Sequence, residues 1–193
     1  MNLHQIASGA ITRVNPFEPV AIRFSTGFAI NSDMSRTPQY GTSGAFFTGA
    51  LAAGVLTVSA IGLGVLSDGQ VLLGRNVGIG TVVIEQSTGP AGGIGTYAVI
   101  GSQVLASQAM AASTVFAQVQ ELTTEDIGHL DALNIQGSTR KMYVDGHVDA
   151  VVRFAEKGGD LVTRFDGTIW LTANVLERWP DWCAVALTLQ DGS

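Results

Sequence analysis

The sequence predicts a mainly β protein in which an all-β module interrupts a second, charged domain. Charge distribution is the first observation: residues 41–117 carry only Asp68, Arg75 and Glu85, whereas the other 116 residues carry twenty-three charged side chains. The same range holds fifteen of the twenty-four glycines. Short β-prone runs separated by Gly, Asp and Ser turns recur on both sides of these boundaries. Two abrupt changes of composition therefore mark the two ends of a module.

The domain boundaries follow from these changes. We assign residues 42–113 to an inserted Gly/Thr/Val-rich β-module, and residues 1–41 and 114–193 to a discontinuous flanking domain. Helix plus about six strands in the flanking domain predicts a small β-barrel or sandwich with one or two short helices. A chain of 193 residues is long enough for two compact units. The ends of the insert should lie close together, because the flanking domain has to tolerate it.

The first half of the flanking domain begins with an amphipathic pattern. Apolar residues recur at intervals of three and four from Leu3 to Val14, which predicts a helix that ends at Asn15-Pro16. "PVAIRFSTGF" and "STVFAQVQEL" predict one strand on each side of the insertion. "TTEDIGHLDALN" predicts a short helix that begins at Thr123 or Thr124, with acidic residues in its first turn.

The second half of the flanking domain is predicted to contain two hairpins and a final strand. "KMYVDGHVDAVV" should turn at Asp145-Gly146 and "GGDLVTRFDGTIWLTANV" at Asp166-Gly167, because Asp-Gly pairs accept the positive backbone angles of tight turns. "WCAVALTLQ" places one alternating set of side chains on a single strand face: Cys183, Val185, Leu187 and Leu189.

The inserted module is predicted to contain five to seven short strands, among them "GVLTVSAIG", "GQVLLG", "GTVVIEQS" and "GTYAVIGSQ". The rival interpretation is a membrane span, because residues 44–66 contain no charge over twenty-three positions. Lys and Arg do not flank this run closely, and its glycines weaken a helix. We therefore favour strands and expect no membrane association.

Composition excludes several functions. A net charge of −6 and a pI near 4.8 argue against an electrostatic grip on nucleic acid. The single cysteine, Cys183, provides neither an intramolecular disulfide nor a zinc-type pair, which is typical of a protein made in a reducing cytoplasm. The N-terminus lacks the basic start and apolar run of a secretory signal.

The sequence contains no pattern that indicates catalysis, a cofactor or a metal. His4, His129 and His147 lie in three different predicted elements without ligand spacing. The loop "GPAGGIGTY" opens onto a strand and lacks the Lys-Ser/Thr of a P-loop. Asp160 and Asp166 flank "LVTRF" and could form an acid pair, but carboxylates at strand ends and turns are common. We predict no enzyme activity, no cofactor and no metal site.

The aromatic cluster "ERWPDW" is the most informative polar–apolar mixture in the chain. Trp179 and Trp182 flank a Pro-Asp turn, where tryptophan is either exposed as a protein contact or packed as a corner of the core. Both interpretations stay open. Together with Trp170 and Arg178, these two residues are the candidate assembly contacts.

Three stretches of the flanking domain carry a recognisable pattern: "MNLHQIASGAITRVNPF", "LDALNIQG" and "GGDLVTRFDGTIWLTANVLERWPDWCAVALTLQDG". They resemble the virion neck proteins of tailed phages, of the head-closure or head-tail joining type. In that family a "GD" strand, a "DG" turn and an aromatic strand build part of a small β-barrel. The resemblance covers residues 1–40 and 118–193.

The insert has its own likeness. "GALAAGVLTVSAIGLGVLSDGQVLLGRNVGIGTVVIEQSTGPAGGIGTYAVIGSQVLAS" resembles a mobile β-module that is inserted into or appended to many phage structural proteins. The sequence departs from that module at Asp68 and at Arg75-Asn76, which puts one loop in doubt.

The resemblance implies a structural function. We expect a subunit of a hexameric or dodecameric neck ring, located in the virion between the portal and adaptor proteins and the tail tube or terminator. Genome DNA would pass through the lumen without specific binding, and the protein would be made in the host cytoplasm.

Other functions stay open at this point. Within the virion, the chain could be a tail terminator, a stopper or a capsid or collar decoration protein. From other classes, we keep a host-surface binding module, and a hydrolase built on His129, His147 and nearby carboxylates.

Overall fold

The protein is described by a computed structural model over residues 15–131, 138–150 and 158–190. This part of the chain contains thirteen strands and one helix, α1 (Thr124–Asp131). The strands are, in chain order, β1 (Glu18–Ile30), β2 (Arg36–Thr42), β3 (Gly44–Ala52), β4 (Val55–Leu63), β5 (Val71–Leu73), β6 (Val82–Gln86), β7 (Gly95–Ile100), β8 (Leu105–Ser113), β9 (Phe116–Gln120), β10 (Thr139–Asp145), β11 (Leu161–Arg164), β12 (Ile169–Arg178) and β13 (Trp182–Gln190). The predicted mainly β class is confirmed.

Six strands close into a first barrel. Their order is β11-β12-β13-β10-β9-β1, and antiparallel pairing of β1 with β11 from Val20↔Arg164 to Arg23↔Leu161 closes the ring. Beyond this seam β1 continues and pairs with β2 alone, from Gly27↔Gln39 to Ile30↔Arg36. The first barrel therefore carries a two-stranded arm at one edge.

The interior of the first barrel is apolar and fully buried. Its core consists of Val20, Ile22, Ala117, Met142, Val144, Val148, Val162, Trp170, Cys183, Val185 and Leu187. Alternation in β13 is as predicted, because Cys183, Val185 and Leu187 all point into this core. Burial of these side chains removes apolar surface from water, which stabilises the fold by about 25 cal/mol for each Å² buried.

The remaining six strands close into a second barrel, in the order β3-β4-β7-β6-β5-β8. Phe47, Leu51, Leu56 and Val58 of the first hairpin lie in its core. Buried Tyr97 packs among them and donates a hydrogen bond from its hydroxyl to the Gly93 carbonyl at 2.6 Å. An aromatic hydroxyl inside a core thus has a partner.

The rival interpretation of residues 44–66 as a helical span is wrong. This segment forms β3 and β4, which are paired from Phe46↔Leu63 to Ala52↔Val55. The chain reverses at Ala53 and Gly54, whose φ angles are +48° and +83°, so a tight hairpin turn replaces a helix. Among the described residues, no helix is long and apolar enough to cross a membrane.

The two crossings between the barrels lie side by side. Gly44 at the start of β3 pairs with Ser113 at the end of β8. Just outside this pair, Ser43 donates its amide to the Ile22 carbonyl at 3.0 Å, and Val115 accepts the Val20 amide at 2.9 Å. Segment 44–113 therefore begins and ends against the same strand, β1, as a tolerated insert requires.

The two predicted hairpins have different outcomes. The turn at Asp166-Gly167 joins β11 to β12, and Gly167 has a φ of +84°. The predicted hairpin at Asp145-Gly146 is wrong, because β10 pairs with β9 along one edge and with β13 along the other. No edge of β10 is left for the segment that follows it. The Gly146 amide donates instead to the Asp181 carbonyl at 2.9 Å.

Helix α1 begins as predicted, with Thr123 as its N-cap. The Thr123 hydroxyl accepts the Asp126 amide at 3.2 Å, and the Thr123 amide donates back to the Asp126 carboxylate at 3.1 Å. This reciprocal arrangement is a capping box. The predicted N-terminal helix over Leu3 to Val14 lies outside the described residues, as does His4.

Candidate assembly surface

Two tryptophans meet at the turn between β12 and β13. The Trp179 amide donates to the Trp182 carbonyl at 2.9 Å and closes the turn through Pro180 and Asp181. The two indole rings stack with centroids 5.9 Å apart and an interplanar angle of 17°. Trp179 is 55% exposed. The turn therefore displays a stacked aromatic pair at the surface instead of closing the core.

Tyr143 and Phe17 extend this face along the barrel. The Tyr143 ring lies 6.0 Å from that of Trp182. Phe17, just before β1, is 42% exposed and lines the same shallow depression as Tyr143 and Trp182. We call Phe17, Tyr143, Trp179 and Trp182 the aromatic surface. The sequence indicated its two tryptophans. Tyr143 joins them only because β10 pairs with β13, and Phe17 only because β9 pairs with both β1 and β10.

Arg178 anchors the aromatic turn. Its Nη2 donates to Asp149 Oδ1 at 2.7 Å and to the Val148 carbonyl at 3.3 Å. Both side chains of this ion pair remain nearly half exposed. An exposed pair of this kind contributes little stability. It positions the turn against the segment after β10 while leaving charge at the rim of the aromatic surface.

Asp160 continues this network into the interior. The buried carboxylate accepts the Ser25 amide at Oδ1 and the Asp149 amide at Oδ2, both at 2.7 Å. Asp166 has separate local partners, because its Oδ1 accepts the amide and hydroxyl of Thr168. Each carboxylate of the possible acid pair is thus engaged in holding backbone.

Trp170 occupies a different environment from the other tryptophans. It is 4% exposed in the core of the first barrel, and its Nε1 donates to Thr168 Oγ1 at 2.8 Å. A ring in this position stabilises the barrel and offers no surface to a partner. We therefore leave Trp170 out of the aromatic surface.

A buried ion pair fastens α1 to the first barrel. Lys141 Nζ lies 3.1 Å from Asp126 Oδ1 and 3.5 Å from the more exposed Glu177 Oε1. Burial of Asp126 raises its carboxyl pKa, but hydrogen bonds from Thr123 and Lys141 outweigh this effect, so the net pKa is lowered. Asp126 therefore both completes the capping box with Thr123 and forms the ion pair that holds the helix to the first barrel.

The remaining candidates for chemistry are not brought together where the structure describes their side chains. Cys183 lies in the core, and burial raises the pKa of its thiol, which disfavours the nucleophilic thiolate. His147 is exposed, and the side chain of His129 lies outside the described residues. Within the described part of the chain, no group of three His, Cys, Asp or Glu residues could hold a metal ion.

The fold and this surface define a protein of two β-barrels, one of which displays an aromatic face. Comparison with known proteins finds no matching family model, no similar curated protein and no similar solved structure. The function proposed below therefore depends on the residues of this chain and on the resemblance noted in its sequence.

Proposed function

We propose that the chain is a structural subunit of a tailed-phage virion, located in the neck as part of a ring between the portal and adaptor proteins and the tail. The single observation that carries this proposal is the aromatic surface. Trp, Tyr and Phe side chains that are at least partly exposed and form one face are typical of protein contacts, where aromatic residues are enriched and dominate binding energy.

Two of these residues, Trp179 and Trp182, lie within a stretch that resembles the neck family. The motif "GGDLVTRFDGTIWLTANVLERWPDW" corresponds to β11, its Asp-Gly turn, β12 and the aromatic turn before β13. Strand, turn and aromatic strand follow one another in the order expected for that family's barrel. The resemblance thus concerns the part of the chain that displays Trp179 and Trp182.

A ring built from this subunit would use a heterologous interface, in which the aromatic surface of one copy contacts a different face of the next. We expect six or twelve copies. The net charge of −6 suits a lumen through which DNA moves without adhering. Portal, adaptor, tail-tube and terminator proteins would be the neighbours of the ring.

The second barrel would project from the ring as a collar-like decoration. It carries several exposed apolar side chains, including Val65, Ile79 and Val104 at 60%, 81% and 76% exposure. These favour a second candidate function, in which the protein binds the host surface through the second barrel. A tail terminator and a capsid decoration protein are the alternatives within the virion.

Immunogold labelling of intact virions tests the location. Antibodies against the purified chain should label the junction of head and tail. Label distributed over the capsid would support the decoration protein, and label at the tail tip would support the host-binding alternative. Either of these two patterns would contradict a neck position.

The role of the aromatic surface is tested by Trp179→Ala in the phage. We expect mature heads and free tails to accumulate unjoined, because the exposed ring contributes to contacts between subunits and little to the barrel. Ile79→Ala, which truncates a still more exposed apolar side chain in the second barrel, is the control and should leave joining intact.

A further inference from the structure

A crevice of about 340 Å³ separates the two barrels. One wall is the outer face of the first barrel, with Arg23 of β1, Thr163 of β11 and Ile169 of β12. The other wall is the outside of the second barrel, with Phe46 of β3 and Leu73 of β5. The walls are mostly apolar, and the volume of the crevice falls within the range of small-molecule sites.

The crevice is fixed by contacts at its base. Ala21, Leu73 and Ala111 form a buried cluster between the barrels, against which Phe46 packs. The Gly74 amide donates to the Phe165 carbonyl at 3.2 Å, which ties the second barrel to the turn after β11. Apolar contacts and a backbone hydrogen bond thus hold the two walls in place.

Arg23 is the one cation that lines the crevice among the residues that the structure describes. It points outward because its neighbour Ile22 points into the core. Its guanidinium lies 5.0 Å from the Phe46 ring and 5.9 Å from the Tyr40 ring. Its Nε is buried and has no hydrogen-bond acceptor among the described residues. A buried donor of this kind costs free energy when it stays unpaired.

Thr163 adds a second buried polar group to the same wall. Its residue is 7% exposed, and its Oγ1 also lacks a partner within the described part of the chain. Registers Ala21↔Thr163 and Arg23↔Leu161 place Arg23 and Thr163 diagonally across the β1–β11 pair, on its outer face. Two unsatisfied polar groups therefore line one crevice.

Arg164 has the kind of partner that the guanidinium of Arg23 lacks among the described residues. Arg164 Nε and Nη2 donate to the two oxygens of the Glu18 carboxylate at 2.6 and 2.8 Å. The corresponding edge of Arg23 has no carboxylate among the described residues. Because guanidinium geometry matches a carboxylate bidentately, the missing partner of Arg23 has the chemistry of a carboxylate.

We propose that the crevice between the barrels binds a carboxylate carried on an apolar body. The Arg23 fork receives the carboxylate, Thr163 Oγ1 donates a hydrogen bond to it, and the apolar body lies against Phe46, Leu73 and Ile169. At about 30 Å³ per water-sized atom, the volume admits about ten non-hydrogen atoms. This site is independent of the neck function.

A single cation in apolar surroundings selects a monoanion. A phosphate dianion would leave one charge uncompensated in the crevice, at high desolvation cost. An amine is excluded because its positive charge would be repelled by the Arg23 guanidinium. The carboxylate can come from a free organic acid or from a side chain of a neighbouring copy, and the experiment below separates these sources.

Titration calorimetry of the full chain with octanoate tests the proposal. We expect one saturable site, with octanamide at least tenfold weaker because it lacks the charge. Arg23→Met, which keeps apolar volume and removes the fork, should weaken octanoate at least tenfold. Arg36→Met is the matched control, since Arg36 lies on the arm with its guanidinium 4.3 Å from the Phe28 ring and outside the crevice.

A second variant distinguishes loss of octanoate binding from loss of the fold. Thr163→Val keeps the shape of the wall and should weaken octanoate severalfold, and circular dichroism should show both variants folded. Binding of octanoate that is equal in wild type and Arg23→Met would overturn the proposal, as would no binding at all to the monomer. If octanoate instead dissociates copies of the chain and Arg23→Met is monomeric, the carboxylate belongs to a neighbouring subunit.

Discussion

Arg164 and Glu18 form a bidentate ion pair at the seam that closes the first barrel, with N–O distances of 2.6 and 2.8 Å. Glu18 begins β1 and Arg164 ends β11, and each side chain is 17% exposed. The hydrogen bonds to Glu18 raise the pKa of Arg164, against the opposing effect of burial. The ion pair therefore joins the first strand of the barrel to β11, about 146 residues further along the chain.

Glu18→Gln should destabilise the protein by about 2 kcal/mol, because one half of a largely buried charged pair is left without its counter-charge. Urea unfolding followed by circular dichroism measures this loss. Glu121→Gln is the control, since the Glu121 side chain, paired with Arg140, is 76% exposed, and its cost should stay below about 0.5 kcal/mol. Equal losses in the two variants would show that the seam pair has no special role.

Stability should fall below about pH 4 through Asp126. The folded state lowers the pKa of this carboxyl beneath its ordinary value of about 3.9, so its contribution is complete above that value and is lost as pH falls through the folded pKa. Asp126→Asn should cost about 1.5 kcal/mol at pH 7.

The pH dependence of this difference is the measurement. The gap in unfolding free energy between wild type and Asp126→Asn should narrow as pH falls from about 5 through the folded pKa of Asp126, because the unfolded carboxyl takes up its proton first. Asp68→Asn, in an exposed loop of the second barrel, is the control for a surface substitution, and its cost at pH 7 should stay below about 0.5 kcal/mol. A difference in unfolding free energy that does not change with pH would contradict stabilisation by the ionised Asp126 carboxylate.

Gly44→Ala should destabilise the junction between the barrels. A Cβ at Gly44 would overlap the Ala112 carbonyl oxygen of the paired strand β8, so backbone has to move. We expect a loss of about 2 kcal/mol or more. Gly41→Ala is the matched control, because its Cβ would meet Thr26 at an ordinary 3.7 Å. Similar melting temperatures for the two variants would contradict the close approach of β3 to β8 at Gly44.

Cys183 should resist thiol reagents in the native protein. The side chain is fully buried, and burial raises the pKa of the thiol, so neither access nor thiolate favours reaction. Labelling with a chromogenic disulfide should require unfolding by urea. Ser102→Cys, which adds an exposed thiol, should react at once with one equivalent. Rapid labelling of two thiols in that variant would place Cys183 outside the core.

Local sequence signals predicted local structure well. The Asp166-Gly167 turn, the Thr123 cap and the alternation in β13 each depend on residues a few positions apart, and the structure has all three. The exposed aromatic turn at Trp179 was one of two open interpretations. Short-range patterns contain the physics of turns, caps and strand faces.

Long-range pairing was not predictable in the same way. The Asp145-Gly146 hairpin failed because β9 and β13 compete for β10, and their pairing outweighs a favourable turn dipeptide. Strand β2 was missed because "RTPQYGT" lacks apolar alternation and is held by backbone pairing with β1. Arg23 and Thr163 share a crevice only after the β1–β11 seam closes.

Light scattering after size exclusion is the most direct test of the proposed ring. The chain should be measured alone and after mixing with the portal–adaptor assembly encoded in the same genome. We expect that assembly to gain a mass of six or twelve times 20.1 kDa, and we expect no such gain with Trp179→Ala. A wild-type chain that stays monomeric and adds no mass to the assembly would contradict the neck function.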